Sequence, residues 1–328
     1  MQTHTNTPLD PWLSRRAPGQ PPLLVLGCMN LGSRTPDGES RAILERALHH
    51  GIRCFDTANM YGNGASEKVV GQALRGVAGV RVATKVGLWP IKGRPEGLSP
   101  QHLPTAVEAS LERLGQSQLE VLFLHAPDHA VPVVETLTAV AALQRAGKVV
   151  HLGVSNHAAW QVLELMFAAD GLGMPRPRTS QVMLNLAIRQ IELEYTRFAA
   201  RYALHTTVYN PLAGGLFARA LDANAPPPPG SRFDGNKRYQ DRYWSPRLFS
   251  FATQARDLAQ QHGLTLLDLA YGWLMQHPGV DSILLGPATV GHLDDAVAAC
   301  ARVLPKALLT QLAALQRAFD GTDASYAR

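Results

Sequence analysis

Four ionisable side chains stand near the ends of three consecutive apolar runs in the first half of the chain. Asp56 ends the run CFD, and Tyr61 follows it in a loop rich in glycine and asparagine. Lys85 ends VRVATK, and His125 ends EVLFLH. A cation favours the phenolate form of a phenol, a carboxylate offsets the cost of burying that cation, and an imidazole can hold a carbonyl oxygen. Together these groups could protonate a carbonyl oxygen while hydride reaches its carbon.

Each of the four residues also has a structural interpretation. Asp56 could cap a helix or pair with a cation, Tyr61 could pack in its loop, and Lys85 could end a strand at the surface. His125 could satisfy a hydrogen bond in the core. Alternatively, Lys85 could form a Schiff base in a barrel isomerase or aldolase. The complementary types of the four groups favour a shared proton-transfer site, and the Schiff-base alternative leaves Tyr61 unexplained.

Short apolar runs alternate with helical patterns along the chain. The predicted strands are 23–27, 54–56, 80–85, 120–125, 149–155, 179–184, 205–210 and 282–286. The predicted helices are 40–50, 66–74, 101–114, 133–146, 160–168, 192–201 and 290–299. Near-continuous apolar strands separated by helices are typical of parallel sheets that are buried on both faces. Eight such units fit the α/β class and a closed (β/α)8 TIM barrel, which typically has roughly 250 residues.

A doubly wound dinucleotide-binding sheet is the competing architecture. Its first strand should be followed by G-x-G-x-x-G. The first strand here leads into LGCMNLG, whose glycines Gly27 and Gly32 do not fit that spacing, and GNGAS lacks the third glycine. We therefore predict a single barrel domain over residues 1–328. Residues 1–20 are expected to be loosely ordered, and the proline-rich stretch 225–230 to form a surface loop before the seventh helix.

Composition narrows the class of protein further. A hydrophobic share of 46% with only 17% charged residues indicates a large core. The net charge of +5 is spread along the chain, which argues against a nucleic-acid partner but suits a small anionic ligand. Cys28, Cys54 and Cys300 lack disulfide or metal spacing, so we expect reduced thiols, no metal site and a cytoplasmic protein. No signal peptide or membrane span is expected.

A series of motifs resembles the aldo-keto reductase family. GIRCFDTANMYGNGASEKVVG is similar to that family's first signature, and ATKVG, LFLHAPD, GKVVHLGVSN and QVMLN follow in the family's order. The resemblance covers nearly the whole chain, and it is specific because the motifs form a series. It implies a catalytic tetrad of Asp56, Tyr61, Lys85 and His125, with Tyr61 as the general acid and His125 also in contact with the substrate.

The stretches APDHAVPVVETL, SNHAAWQVLEL, RQIELEY, NPLAGGL and DRYW and the terminal SYAR resemble the aflatoxin aldehyde reductase branch of the family. That branch includes succinic semialdehyde reductases. The resemblance implies NADPH as cofactor and the reduction of aldehydes and ketones, including dicarbonyls and carboxylate-bearing aldehydes. It leaves open whether a homodimer forms.

The same resemblance assigns a cofactor site and a substrate mouth. The nicotinamide would meet hydrogen-bonding groups and a stacking ring, the pyrophosphate a glycine-containing loop, and the adenosine phosphate the start of the last barrel helix. In that order, the cofactor residues are Ser155, Asn156, Gln181 and Tyr209; Asn210, Pro211, Leu212, Gly214 and Gly215; and Gly286, Thr289, His292 and Asp294. Arg219 and Arg232 are candidates for the 2′-phosphate. Tyr239, Arg242 and the terminal Arg328 would line the substrate mouth.

Three positions depart from the pattern of the branch. Leu184 replaces a tyrosine, Ala296 replaces an asparagine, and Ala220 replaces a lysine, with Arg219 one position earlier. The last two departures leave open how strongly NADPH is preferred over NADH. The main rival function is that of a regulatory protein, because potassium-channel β-subunits share this fold and cofactor site. Steady consumption of NADPH with aldehydes would separate an enzyme from such a partner protein.

Overall fold

Parallel strands form the centre of the molecule. The structure, a computed structural model, describes residues 12–91 and 93–321. In that part of the chain the strands are β1 (Leu23–Gly27), β2 (Cys54–Asp56), β3 (Arg81–Val86), β4 (Pro90–Ile91), β5 (Arg94–Pro95), β6 (Leu119–Leu124), β7 (Val149–Ser155), β8 (Thr179–Met183), β9 (His205–Tyr209) and β10 (Ser282–Leu285). Eight of them close a barrel in the order β1-β10-β9-β8-β7-β6-β3-β2, with every neighbouring pair parallel. β4 and β5 form a separate antiparallel hairpin.

Helices surround the barrel. Within the described residues they are α1 (Asp37–His49), α2 (Ala65–Ala73), α3 (Leu103–Leu114), α4 (Val133–Arg145), α5 (Ala159–Gly171), α6 (Tyr195–Arg201), α7 (Lys237–Tyr243), α8 (Pro246–Gln261), α9 (Leu266–Gln276), α10 (Val290–Cys300) and α11 (Lys306–Asp320). The predicted (β/α)8 TIM barrel is confirmed. Four helices, α7, α8, α9 and α11, are not among the predicted elements, and the first three of them fill the long segment between β9 and β10.

Helix α3 illustrates how the local sequence selects these elements. Leu103, Val107, Leu111 and Leu114 recur at helical spacing, and each is at most 3% exposed. The helix stops at Gly115, whose φ of 64° suits glycine because this region is disfavoured for residues with a Cβ. Full burial of a leucine or valine side chain contributes about 1.5–3 kcal/mol. The apolar stripe, more than intrinsic helix propensity, therefore holds α3 against the barrel.

Residues 12–16 close the end of the barrel at which the strands begin. Trp12 is 0% exposed and packs in one cluster with side chains from β1, β2, β3, β6 and β10. Arg15 Nε donates a hydrogen bond to Asp281 Oδ1 at 3.1 Å. The expectation that residues 1–20 are loosely ordered is therefore wrong for this segment, and the first eleven residues lie outside the described part of the chain. Burial of the indole ring outweighs the polar, proline-containing composition that suggested a tail.

Strand register brings two charged side chains together at the other end of the barrel. Asp56 lies opposite Ala83 in the β2–β3 pair, and Lys85 follows two residues further along β3. Because side chains alternate between the two faces of a strand, Lys85 points to the same face as Ala83. The register therefore places Asp56 and Lys85 side by side where the strands end.

Four other sequence expectations concern membrane spans, metal sites, the cysteines and the proline-rich stretch. In the described ranges no helix is long and apolar enough to cross a membrane, and no group of three or more His, Cys, Asp or Glu side chains could hold a metal ion. Cys28, Cys54 and Cys300 are free thiols, and all three are buried. The stretch 225–230 is a loop, but its last residues, Pro229 and Gly230, line a cavity.

Candidate active site

The C-terminal ends of the barrel strands open into a cavity of about 790 Å³. This size is usual for a small-molecule site, and the same end of the barrel carries the active site in characterised (β/α)8 enzymes. The cavity is lined by all four members of the predicted tetrad, Asp56, Tyr61, Lys85 and His125. Asp56, Lys85 and His125 lie on or directly after the neighbouring strands β2, β3 and β6, and Tyr61 lies in the turn that follows β2.

Lys85 is the centre of the tetrad. Its Nζ donates a short hydrogen bond to Asp56 Oδ1, a second to the backbone oxygen of Thr57 at 2.8 Å and a third to Tyr61 Oη at 3.3 Å. Gln181 Nε2 donates to the other oxygen of Asp56. An ammonium group has three donors, so all of them have partners. The cation is therefore fixed beside the phenol.

A glycine-rich turn positions Tyr61. Residues 62–64, which follow it, have φ values between 51° and 83°. A Cβ at Gly64 would lie 2.6 Å from Arg113 Cδ, so this close approach requires glycine. Arg113 Nε in turn donates to the buried Glu67 carboxylate at 2.6 Å. The turn is thus packed against a fixed guanidinium group, which holds the phenol in place.

Burial and neighbouring charges set the protonation of the tetrad. Burial alone would lower the pKa of Lys85, but Asp56 and Tyr61 outweigh this effect and raise that pKa. Burial raises the pKa of Tyr61, and the charge of Lys85 offsets only part of the rise. The expectation that Lys85 makes the phenol more acidic thus describes one contribution and not the net shift. At neutral pH Lys85 is a cation, and Tyr61 keeps the proton that it could donate.

His125 stands edge-on to Tyr61, with ring centroids 5.8 Å apart and an interplanar angle of 82°. Burial lowers its pKa well below the usual value, and the charges of Lys85 and Arg238 lower it further. The imidazole is therefore neutral at neutral pH. Its Nδ1 is buried without a hydrogen-bond partner among the described residues. A polar ligand beside the phenol could meet this ring.

The residues expected at the nicotinamide form a connected network on the next strands. Asn156 Nδ2 donates to the backbone oxygen of His125 at 2.8 Å, and Tyr209 Oη donates to Asn156 Oδ1 at 2.5 Å. Gln181 is already engaged, because its Nε2 donates to Asp56. The residues of this set that line the cavity are Ser155, Asn156, Gln181 and Tyr209. The network therefore joins the expected cofactor residues to the tetrad.

The loop after β9 contributes backbone to the cavity. Asn210, Ala213, Gly214 and Gly215 have φ values of 61°, 48°, 72° and 107°. Asn210 Oδ1 accepts from the backbone N–H of Gly214 at 2.9 Å, which stabilises this unusual turn. A Cβ at Gly214 would lie 2.9 Å from Tyr239 Cδ1, so the close contact with α7 requires glycine. The backbone N–H groups of residues 213–215 all donate within the loop, so the loop brings to the cavity a tight, fixed turn with little side-chain bulk.

A second segment, residues 229–232, joins the loop after β1 and is called the strap below. Arg34 Nη2 donates to the backbone oxygen of Gly230 at 2.7 Å, and Arg232 Nη2 donates to Asn30 Oδ1 at 2.5 Å. Asn30 also donates to two backbone oxygens in the loop after β10. All of these groups line the cavity. The strap therefore spans the cavity, and the Asn30 amide connects it to the strand end beneath.

Not every predicted residue reaches the cavity. Besides those above, the predicted residues that line it are Pro211, Leu212, Arg219, Gly286, His292, Tyr239 and Arg242. Thr289 caps α10 by accepting from the backbone N–H of His292 at 3.2 Å, and Asp294 accepts from Arg46 Nε at 2.7 Å. Neither Thr289 nor Asp294 is among the cavity-lining residues. Arg328 lies outside the described residues.

Several cavity residues are not among the predicted ones. They include Met29, Asn30, Ser33, Arg34, Met60, Leu88, Arg238, Leu267, Tyr271 and Asp295. Asn30 and Arg34 follow β1, so the rule that polar residues after strand ends form the site also applies to them. Arg238 lies beside the predicted Tyr239 on α7, but no motif marks it. Tyr271 comes from α9, a helix that the sequence periodicity does not reveal.

Several known proteins are similar in sequence to this chain. The family described as the Aldo/keto reductase family matches residues 23–317. Aflatoxin B1 aldehyde reductase member 2 of Rattus norvegicus is 34% identical over 297 residues, which cover 85% of this chain and 80% of that protein. A probable voltage-gated potassium channel subunit beta of Arabidopsis thaliana is 29% identical over 275 residues, which cover 81% and 83%.

The solved structure of a glycerol dehydrogenase from Gluconobacter oxydans has the same fold. It superimposes with a TM-score of 0.78 over 96% of this chain and 98% of that chain, at 23% identity. The family match spans all strands of the barrel, and the tetrad lies where the strands end. The chain therefore belongs to the aldo/keto reductase family and is a carbonyl-reducing oxidoreductase.

Proposed function

We propose that the protein reduces aldehydes and ketones to alcohols with NADPH, and that Tyr61 is the general acid. One observation carries this proposal: Tyr61 Oη lies 3.3 Å from Lys85 Nζ and edge-on to His125, in a single cavity. A phenol in that position can donate its proton to a carbonyl oxygen. The adjacent ammonium group would stabilise the phenolate that remains.

Unpaired polar atoms in the cavity fit a bound dinucleotide. His125 and Ser231 line the cavity, and their atoms Nδ1 and Oγ are buried without a hydrogen-bond partner among the described residues. Buried polar groups are rarely left unpaired, so a ligand that supplies partners is the simplest explanation. A volume of about 790 Å³ also suits a large ligand. NADPH bound there would supply the hydride.

Different parts of the cavity suit different parts of NADPH. Asn156 and Tyr209, next to the tetrad, suit the nicotinamide. Arg232 suits the pyrophosphate because guanidinium groups bind phosphate oxygens, and the glycines of the loop after β9 would let it approach the backbone closely. Arg232 Nη2 already donates to Asn30 Oδ1, and its guanidinium lies 5.2 Å from the Tyr239 ring centroid, whereas Arg219 is exposed at the cavity. Arg219 is therefore our candidate for the 2′-phosphate.

The tetrad divides the work of proton transfer. Tyr61 and His125 hold the carbonyl oxygen, and the Tyr61 hydroxyl gives it a proton. Lys85 stabilises the resulting phenolate, and Asp56 holds Lys85 in place. Because burial raises the pKa of Tyr61, the phenol stays protonated through neutral pH, and reduction should decline only as the pH rises past that pKa. Alcohol oxidation needs the phenolate and should have the opposite pH dependence.

Carboxylate-bearing aldehydes and dicarbonyls are the substrates that we propose. Arg242 and Tyr239 on α7 line the same cavity as Tyr61, and the guanidinium lies 6.0 Å from the Tyr239 ring centroid. A cation there could pair with a carboxylate at the far end of a short aldehyde such as succinic semialdehyde. The names of the aflatoxin B1 aldehyde reductases support an aldehyde as substrate. Arg328 is proposed for the same mouth from the sequence alone.

Two other functions fit less well. A Schiff base would need Lys85 as a neutral amine, but its pKa is raised and its Nζ is hydrogen-bonded to three groups. The alternative of a cofactor-binding regulatory protein is supported by the similarity to the channel subunit. Such a protein would bind NADPH but would consume little of it with any aldehyde.

The substitution Tyr61→Phe tests the proposal. We expect kcat for an uncharged aldehyde to fall by about 10²–10⁴-fold or more, because the hydroxyl acts on the reacting oxygen. The Kd for NADPH, measured by fluorescence titration, should change little. Tyr202→Phe, which alters a tyrosine with 37% exposure, is the control and should keep full activity. A loss of tenfold or less would remove Tyr61 from the role of acid.

A further inference from the structure

A buried carboxylate that the proposed proton transfer does not use lies near the tetrad. Glu96 follows β5 and is 9% exposed. Three N–H donors converge on its Oε1 atom: Asn59 Nδ2 at 2.6 Å, the backbone N–H of Gly87 at 2.6 Å and the backbone N–H of Trp89 at 3.4 Å. Hydrogen bonds of this kind offset the cost of taking a charged group out of water. Separate segments of the chain are therefore joined at this one oxygen atom.

Two of the donors come from the base of the β4–β5 hairpin. Gly87 and Trp89 precede β4 and flank Leu88, which lines the cavity, whereas Glu96 follows β5. The backbone N–H of Glu96 also donates to the backbone oxygen of Trp89 at 2.8 Å, so the two sides of the hairpin base are bonded to each other. Glu96 thus fixes the segment that forms one wall of the cavity.

The third donor belongs to the loop that carries Tyr61. Asn59 is 1% exposed and lies two residues before Tyr61. Its backbone N–H donates to the backbone oxygen of Lys85 at 3.0 Å, and its side chain donates to Glu96. A carboxylate only accepts hydrogen bonds, so the amide presents its NH₂ group to Glu96. The loop before Tyr61 is therefore held through both the backbone and the side chain of Asn59.

Tyr61 is held from both sides of its position in the chain. The turn after it packs against Arg113, and Asn59 holds the loop before it. Tyr61 Oη lies 3.3 Å from Lys85 Nζ, a long hydrogen bond that a small displacement would break. A misplacement of about 1 Å in a reacting group can cost roughly 100-fold in rate. The anchors of this loop therefore bear directly on proton transfer.

We propose that Glu96 is a positioning residue: through Asn59, it holds Tyr61 at the distance from Lys85 that proton transfer needs. The inference rests on the proposed function and adds to it a residue outside the cavity. Glu96 lies outside every motif that resembles the aldo-keto reductase family, so the resemblance assigns it no role. Its effect on the reaction passes through the geometry of the loop that carries the phenol.

An exchange of donor and acceptor tests this contact. Asn59→Asp places a second carboxylate against Glu96, and such a pair shares one proton at low pH but repels once both groups are ionised. The double variant Asn59→Asp/Glu96→Gln has an amide donor beside the introduced carboxylate, and its amide oxygen can still accept from the hairpin base. Lys85, Arg113 and Asp128 are charged groups on the elements around this contact, and they are the same in every variant.

The measurement is the single-turnover rate at which butanal oxidises bound NADPH, because this rate separates the chemical step from product release. We expect Asn59→Asp to lower it by roughly 10- to 100-fold at about pH 8 and by less than about threefold at about pH 5. The double variant should stay within about threefold of the unmodified protein, whose Tyr61 keeps its proton over this range. The Kd for NADPH should change little, since neither Asn59 nor Glu96 is among the cavity-lining residues.

Glu96→Ala, which removes all three contacts, is compared with Glu192→Ala. Glu192 accepts from Arg189 Nε at 2.9 Å and lies 2.7 Å from His277 Nε2, but it is not among the cavity-lining residues. Both variants should have a lower melting temperature, whereas only Glu96→Ala should slow the single turnover, by roughly 10- to 100-fold. Equal rates in these two variants, a loss in Asn59→Asp that is the same at both pH values, or a double variant no faster than Asn59→Asp at about pH 8 would overturn the proposal while the proposed function stands. If the unmodified protein consumed no NADPH with butanal, both would fail.

Discussion

Both ends of the barrel hold a buried carboxylate paired with a cation, but only one end is built for chemistry. Where the strands begin, Asp281 accepts from Arg15 Nε at 3.1 Å, and the adjacent space is filled by Trp12, which is 0% exposed. Where the strands end, Asp56 pairs with Lys85, and the adjacent space is a cavity of about 790 Å³. Access to the pair, and not the pair itself, separates the structural ion pair from the one that we propose takes part in catalysis.

The cations at the two ends also differ in chemistry. An arginine keeps its charge at all usual pH values, and its planar donors suit a fixed carboxylate. A lysine ammonium group is compact and directs its donors to separate partners. Lys85 divides its donors between Asp56, Thr57 and Tyr61, so it links the ion pair to a phenol. The pair of Arg15 and Asp281, where the strands begin, has no such link to a reactive group among the described residues.

Among the substitutions that distinguish the two ends of the barrel, Lys85→Met should have the largest effect. That effect should be a loss of activity. We expect kcat to fall by about 10²–10⁴-fold, because Tyr61 would lose the charge that opposes the effect of burial on its pKa. The pH at which reduction declines should move upward in any residual activity. Steady-state kinetics across pH, with circular dichroism as a check on folding, would measure both. A folded variant that lost less than tenfold in kcat would contradict this role.

Trp12→Ala should affect stability and leave chemistry alone. Removing a fully buried tryptophan costs about 3–5 kcal/mol in the free energy of unfolding, whereas kcat per folded molecule should stay within about twofold. The control is Trp160→Ala, because that side chain is 61% exposed and its loss should cost less than about 0.5 kcal/mol. Denaturant unfolding and kinetics on the same samples would compare them. A large fall in kcat for Trp12→Ala would show that the two ends are coupled.

Arg219→Met should have the smallest effect of these substitutions. It compares two cations of the cavity, the exposed Arg219 and the buried Lys85. We expect the Kd for NADPH to rise by roughly tenfold and the Kd for NADH to stay the same, because only NADPH carries the 2′-phosphate. Since Arg219 is exposed, the preference for NADPH should shrink as salt is added, whereas the effect of Lys85→Met should not respond to salt. Equal affinities of the unmodified protein for NADPH and NADH at low salt would refute a phosphate site at Arg219.

The barrel could be predicted from the sequence because its signals are local. Eight apolar runs mark the strands, and three of the tetrad residues stand at the ends of such runs. The glycine-rich turn that carries Tyr61 is also visible, because residues with φ near 51–83° favour glycine and asparagine. Periodicity and turn chemistry thus suffice for the strands of the barrel and for placing the tetrad where those strands end.

Contacts between distant segments leave no such signal. Asp294 lies in a stretch that resembles a phosphate site, but its partner Arg46 is on α1, 248 residues earlier in the chain. Trp12 lies in a polar segment, and the apolar side chains against which it packs come together only in the closed barrel. Arg238 lies on a short helix whose position depends on the fold of the loop before it. These residues could be assigned only once the chain was seen folded.

The closure of the barrel at its first strand has a consequence for the synthesis of the chain. Arg15 and Asp281 are separated by 266 residues, and β1 pairs with β10 across the closing seam. While the ribosome is still making β10, β1 presents an unpaired edge and Trp12 has no completed floor to enter. Open strand edges and exposed apolar rings promote association between chains. The nascent protein therefore stays vulnerable to aggregation until β10 has been translated and has paired with β1.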